Sequence, residues 1–302
     1  MSSGEPPLPP IDLPRLERSL RHPRSLLSAL LSLMTGLATL VACIPLFSVL
    51  LMLLYRGGRS LSLASFTELP PAALQTGGGF GNAIVGTALM VAIAAVLSVP
   101  MGILAAVFLA LLGGDSKLAW AVRLTAKTLA GFPSILAGVF AYAAVVTTFG
   151  GYSAPAGGVA LAVLMLPIVM LTAEQAIRMV PTRMKEAAVG MGCTPSQVVC
   201  KVVLPTAMPG ILTGVMLAVA RAAGETAPLL FTALFSNYWV VHDGELRWLE
   251  PTASLAVLIY NFSGSPFDNQ VEQAWAAALV LVLLVLVVNV TAQAFSRKQI
   301  RD

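Results

Sequence analysis

The chain has 302 residues, 57% of them hydrophobic and only 11% charged, with a mean hydropathy of +0.86. A soluble domain is about half apolar and about a quarter charged, so both an ordinary globular core and a disordered chain are excluded. A polytopic membrane protein remains, in which the net charge of +4 matters only through where it falls.

The first 24 residues, MSSGEPPLPPIDLPRLERSLRHPR, are proline-rich and charged. They predict a flexible or surface-lying head (residues 1–24), and the apolar segment after them is too long for the core of a cleaved signal. A membrane domain is expected over 25–302. A bilayer core accepts helices of about 20 apolar residues because they satisfy their own backbone hydrogen bonds. Charge-free stretches therefore mark six spans, the first from Ser25 to Tyr55 and the second from about Ala83 to Leu112. The uncharged run from Thr128 to Ala173 is too long for one span and is broken at FGGYSAPAGG (Phe149 to Gly158), giving the third and fourth. Val202 to Leu234 is the fifth and Gln273 to Ser296 the sixth. Pro100 and Pro133 are expected at kinks or helix starts, and Gly210 to Gly214 reads as a GxxxG contact with another helix.

Basic residues set the orientation. Arg15, Arg18, Arg21 and Arg24 share one side with Lys117, Arg123, Lys127, Arg178, Arg183, Lys185, Lys201, Arg297, Lys298 and Arg301. The opposite loops hold only Arg56, Arg59 and Arg247. The positive-inside rule then puts both termini in the cytoplasm. The outer loop 235–272 is acidic, with Asp243, Glu245, Glu250, Asp268 and Glu272, and suits a soluble partner; Trp239 and Trp248 are expected near the outer interface. Cys43, Cys193 and Cys200 have neither pairing logic nor metal-ligand spacing.

The cytoplasmic loop 174–205 predicts a helix-turn-helix. Glu174 and Arg178 stand at i, i+4, Lys185 to Ala188 favour helix, and Gly190 and Gly192 permit a sharp turn. Thr194-Pro195-Ser196-Gln197 is a capping box that opens a second helix, expected to stop at Leu204-Pro205. The run Glu186-Ala187-Ala188-x3-Gly192-x9-Val202-x-Leu204-Pro205 resembles the EAA motif of ABC importer permeases, with valine in place of isoleucine. The resemblance implies an all-α, six-helix MetI-like permease, N-in and C-in, in a bacterial inner (plasma) membrane. It also implies that Glu186, Ala187, Ala188, Gly192, Leu204 and Pro205 engage a separate ATPase.

Arg221 and Glu225 lie four apart within the fifth span. Mid-bilayer arginine costs about 2.5–3.5 kcal/mol on insertion scales and so must face protein, a counter-ion or water. Counted from Leu204, Arg221 is about 25 Å along a helix, on the outer half. Two compatible readings stand: an ion pair packed between helices, or an arginine on an anion path with Glu225 orienting it. The stretch ARAAGETAPLLFTA (Ala220 to Ala233) resembles the PstA family of phosphate-importer permeases, as does Gly131 to Ile135. The PstC family shares Arg-x-x-Gly-Glu-Thr but diverges after it. A permease for sulfate, molybdate or phosphonate would share the EAA motif without GETAPLLFTA.

This resemblance implies a PstC-like sister permease, two PstB-like ATPase subunits carrying ATP and Mg, and a PstS-like phosphate-binding protein. No cofactor is expected on this chain, which has no Walker A motif and no nucleic-acid role. His22 and His242 are its only histidines, and H-E-x-x-H and G-x-S-x-G are absent, which speaks against an intramembrane enzyme.

Overall fold

The computed structural model describes residues 23–75, 77–114, 116–242 and 244–299. The head through residue 22, with Arg15, Arg18 and Arg21, lies outside the described residues, as do Asp243 and Arg301.

The chain divides into two compact units, ending and beginning at Met52 and Leu53. The first contains one helix, α1 (Pro23–Met52), 30 residues long and apolar over most of its circumference, with Ser28, Ser32, Thr35 and Thr39 along one side. At 1.5 Å per residue it reaches about 45 Å, enough to cross a bilayer even when tilted.

The second unit begins with a π-turn at Leu53–Gly57. Gly57 approaches the last helix closely, since a Cβ there would meet the Trp275 carbonyl at 2.7 Å. Helix α2 (Gly81–Val107) carries Pro100 inside it and ends in a π-turn at Phe108–Leu112. Next come α3 (Lys117–Ala130) and α4 (Ser134–Ala141), the latter extended by a π-turn and a last turn to Phe149. Pro133 forces the residue before it out of the helical region, and the two helices meet at 105°. The expected helix start at Pro133 is thus found, but the helix it opens, Ser134–Phe149, is only 16 residues long, about 24 Å, and reaches the length of a span only together with α3. The expected cytoplasmic loop before it is an amphipathic helix.

Helix α5 (Ala154–Arg178) is the hub of the unit, packed against α2, α3, α4 and the later helices Leu204–Ala223 and Ala227–Thr232. It is the most buried of the candidate spans. Then come α6 (Thr182–Gly190), α7 (Pro195–Val198) and α8 (Leu204–Ala223), the last two joined through a π-turn at Val199–Val203. The second loop helix accordingly does not stop at Leu204-Pro205. Pro205 has no N–H for the carbonyl one turn earlier, and the π-turn just before it absorbs that mismatch, so the helix continues from Pro195 to Ala223.

Helix α9 (Ala227–Thr232) is separate from α8, so the predicted fifth span to Leu234 is broken. A short antiparallel hairpin, β1 (Val241–His242) and β2 (Glu245–Leu246), precedes α10 (Leu255–Ser263), and α11 (Asp268–Gln299) closes the chain. The acidic outer loop is thus not all surface. Leu255 to Leu258 are buried, and the hydroxyl of Thr87 on α2 accepts the Leu255 N–H at 2.9 Å. The acidic residues Glu245, Glu250, Asp268 and Glu272 remain at least partly exposed around it.

Among the described residues, five helices are long and apolar enough to cross a membrane, and up to six when the bent pair α3–α4 counts as one span. Small residues make the central packing possible. The GxxxG of α8 faces α5: a Cβ on Gly210 would sit 2.7 Å from that of Ala176, and one on Gly214 would overlap the Thr172 side chain. Overpacking of this kind costs about 1–3 kcal/mol or more. Gly214→Leu is expected to deplete the chain from membranes at least threefold by immunoblot, whereas Gly264→Leu, in open space, leaves its level unchanged. Equal levels of the two variants would show that this contact is dispensable.

Candidate functional site

Arg221 occupies the last turn of α8, where the helix dipole stabilises a cation. Gly224 caps that helix, and Glu225 lies beyond it. The break has a steric cause, because the ring of Pro228 in a continuous helix would collide with the carbonyl of Gly224, four residues earlier. The two predicted residues still meet: Arg221 Nε donates to Glu225 Oε1 at 3.2 Å. Their shared face is a helix end and the turn after it, not one uninterrupted helix.

The pair is asymmetric. The arginine side chain is 41% exposed and the glutamate only 16%. Among the described residues the guanidinium has no second partner, so most of its N–H donors point to the surface of this chain. An enclosed carboxylate that uses one donor fixes the fork and leaves the other donors free for an anion. Thr206, Thr213 and Leu217 are exposed along the same side of α8, a partly polar stripe ending at Arg221.

At the far end of this continuous helix stands the loop that carries the EAA-like run. Its capping box forms as expected: Gln197 N–H donates to the Thr194 hydroxyl and Thr194 N–H to the Gln197 side chain. Gly192 has φ +84°, and a Cβ added there would meet nothing within 4 Å, so glycine here serves the left-handed turn and not close packing within the chain. Gly190, also expected to help the turn, is the last residue of α6. Ala188, Val198 and Val203 face inward and pin the loop to Ala173, Ala176 and Ile177 of α5 and Ala106 of α2. Glu186, Ala187, Gly192 and Pro205 are at least partly exposed, and Leu204 is half-buried.

Two features escaped the sequence reading. Met179, Val189 and Met191 stand on the loop surface with Met184, at exposures up to 80%. Exposed methionines form adaptable contact surfaces, and their spacing in the loop was the available signal. The second is Arg123 of α3, which pairs with Glu174 Oε1 at 2.7 Å. Arg178 completes the predicted i, i+4 pair with the same oxygen at 2.9 Å.

A family model described as "Binding-protein-dependent transport system inner membrane component" matches residues 98–301. The phosphate transport system permease protein PstA of Yersinia pestis is 40% identical over 81% of this chain and 81% of its own length. That of Pasteurella multocida is 38% identical over 91% of this chain and 96% of its own. In fold, the chain is similar to one in the bacterial alginate ABC transporter complex, with a TM-score of 0.62 at 16% identity, covering 91% of this chain and 96% of that one. A chain of the inward-facing MetNI methionine ABC transporter gives 0.54 at 22% identity, over 72% and 93%. The fold is thus the MetI-like one, in a multi-pass membrane protein. The chain belongs to the binding-protein-dependent transport system inner membrane component family and, within it, to the PstA group of permeases.

Proposed function

We propose that this chain is one of two permease subunits of an ATP-driven importer of inorganic phosphate in a bacterial inner membrane, with both termini in the cytoplasm. A PstC-like sister permease completes the translocation path, two PstB-like subunits bind ATP and Mg, and a PstS-like protein delivers phosphate from outside. The observation that carries this reading is the Arg221–Glu225 pair at the end of one continuous helix whose other end is the docking loop. Phosphate suits a half-open guanidinium, which binds it bidentately, and an enclosed carboxylate keeps that binding from becoming a trap. A lever of 29 residues, about 43 Å, links nucleotide-driven movement at Pro195 to the charge at its outer end. The exposed stripe of α8 suits the sister permease, since a charged group facing lipid would be costly.

Uptake of labelled phosphate and sulfate by phosphate-starved cells tests the substrate. Deleting the gene in a strain without other phosphate importers is expected to lower phosphate uptake at least tenfold and leave sulfate uptake unchanged, with recovery on complementation. Unchanged phosphate uptake with lost sulfate uptake would transfer the reading to another oxyanion. Molybdate or phosphonate would then be tried in the same assay.

A further inference from the structure

A second charged centre lies away from Arg221, at the base of the docking loop. Glu174, in the last turn of α5, is 5% exposed. Its Oε1 accepts from Arg123 Nε at 2.7 Å and from Arg178 Nε at 3.0 Å. Both arginines also reach the Leu109 carbonyl, Arg123 at 2.7 Å and Arg178 at 3.4 Å. That carbonyl belongs to the π-turn ending α2, where helix carbonyls lack intrahelical donors. One carboxylate and one helix end therefore share two cations, so the buried charge is both paired and hydrogen-bonded.

The two arginines do different mechanical work. Arg178 sits on the same helix as Glu174, and its one link to another element is the longer contact with Leu109. Arg123 reaches Glu174 across 51 residues and ties α3 to α5, while its second contact ties α3 to α2. Ala119 and Ala126 place small side chains on the same face of α3, which lets the helix lie close enough for the short bonds.

From α3 the connection continues. Only Gly131, Phe132 and Pro133 separate it from α4, the other half of the bent pair. Helix α4 in turn lies against α9: a Cβ on Gly138 would come within 2.6 Å of Pro228 Cα. Pro228 is three residues beyond Glu225. The charged pair thus stands between two mechanical arms, α7–α8 behind Arg221 and α4–α9 beside Glu225.

We propose that Arg123 and Glu174 are positioning residues that make α4 move with the docking loop, so that both arms reach the Arg221–Glu225 pair together. Without the lock, nucleotide-driven movement still travels along α8, but α4 no longer follows. The inference rests on the proposed importer mechanism for its driving force, but not on the identity of the anion.

The test uses the full complex in lipid nanodiscs, with Cys43, Cys193 and Cys200 replaced by serine. A nitroxide label is carried on Phe140→Cys in α4 or on Leu217→Cys in α8, both exposed on this chain, the second within the stripe proposed to face the sister permease. In the otherwise wild-type complex, ATP with vanadate is expected to change the spectrum of both labels. Arg123→Gln should reduce the α4 response at least threefold and leave the α8 response intact, with phosphate moved per ATP falling at least tenfold in liposomes. Arg178→Gln should leave both label responses intact. An α4 response in Arg123→Gln equal to wild type, equal losses in the two arginine variants, or no α4 response in wild type would each overturn the proposal. If Arg123→Gln does not assemble, Arg123→Lys keeps the charge but loses the fork, and the same comparison applies. Failure of that variant to assemble would reduce the residue to a structural one and also overturn the proposal. Responsive labels in a wild-type complex that moves no phosphate would defeat the phosphate reading alone.

Discussion

Arg221→Ala is expected to lower phosphate uptake by about 10- to 150-fold while the chain still assembles with its partners. That range converts the ~1.5–3 kcal/mol typical of a hydrogen bond to a charged group. The alanine removes the donors that the structure leaves free on the chain surface, and helix α8 still ends at Gly224 because Pro228 still forbids its continuation. Arg221→Lys keeps the charge without the planar fork and should fall between the two.

A purely structural ion pair predicts something different. In Arg221→Ala the 16%-exposed Glu225 carboxylate loses its counter-ion, and that alone could impair the complex. The double variant Arg221→Ala with Glu225→Ala removes the stranded charge. Recovered uptake in the double variant would make the pair structural. Continued loss, with normal amounts of complex, leaves the arginine on the anion path. Uptake and membrane level measured on the same cells decide the matter.

What could be read from the sequence, and what could not, follows the range of each interaction. Spans of twenty or more apolar residues announce themselves, and so does the local capping box at Thr194, whose two hydrogen bonds join residues three apart. The GxxxG of α8 was visible, but its partners Thr172 and Ala176 belong to another helix. Helix α10 went unseen because its nine residues are too few for a span and its first N–H is received by Thr87, 168 residues away. In the same way Arg123 counted only as a cytoplasmic charge, since nothing in spacing connects it to Glu174. The end of α8 before Glu225 is a different kind of miss. Pro228 and Gly224 are four apart, so the steric conflict was local and legible, but hydropathy alone carried the span onward to Leu234.

Gly192→Val is expected to uncouple ATP hydrolysis from transport, lowering phosphate uptake at least tenfold while the purified complex keeps hydrolysing ATP. Gly192 holds φ +84°, where a side chain costs about 1–2 kcal/mol and a β-branched one fits worst. Relief of that strain turns α6 away from α7, moving Met191 and Glu186 relative to the capped start of the lever helix. The loop's attachment to the bundle through Ala188 and Val198 lies on its inner side and is not touched by the substitution. Gly190 provides the control: it is helical, with open space around it, so Gly190→Ala should leave transport and ATP hydrolysis unchanged. Gly192→Asn, which tolerates the left-handed region, should retain most of the uptake. If Gly192→Val transports as wild type does, the turn between α6 and α7 does not set the coupling. If all three variants lose uptake equally, the surface of the loop matters and its backbone turn does not.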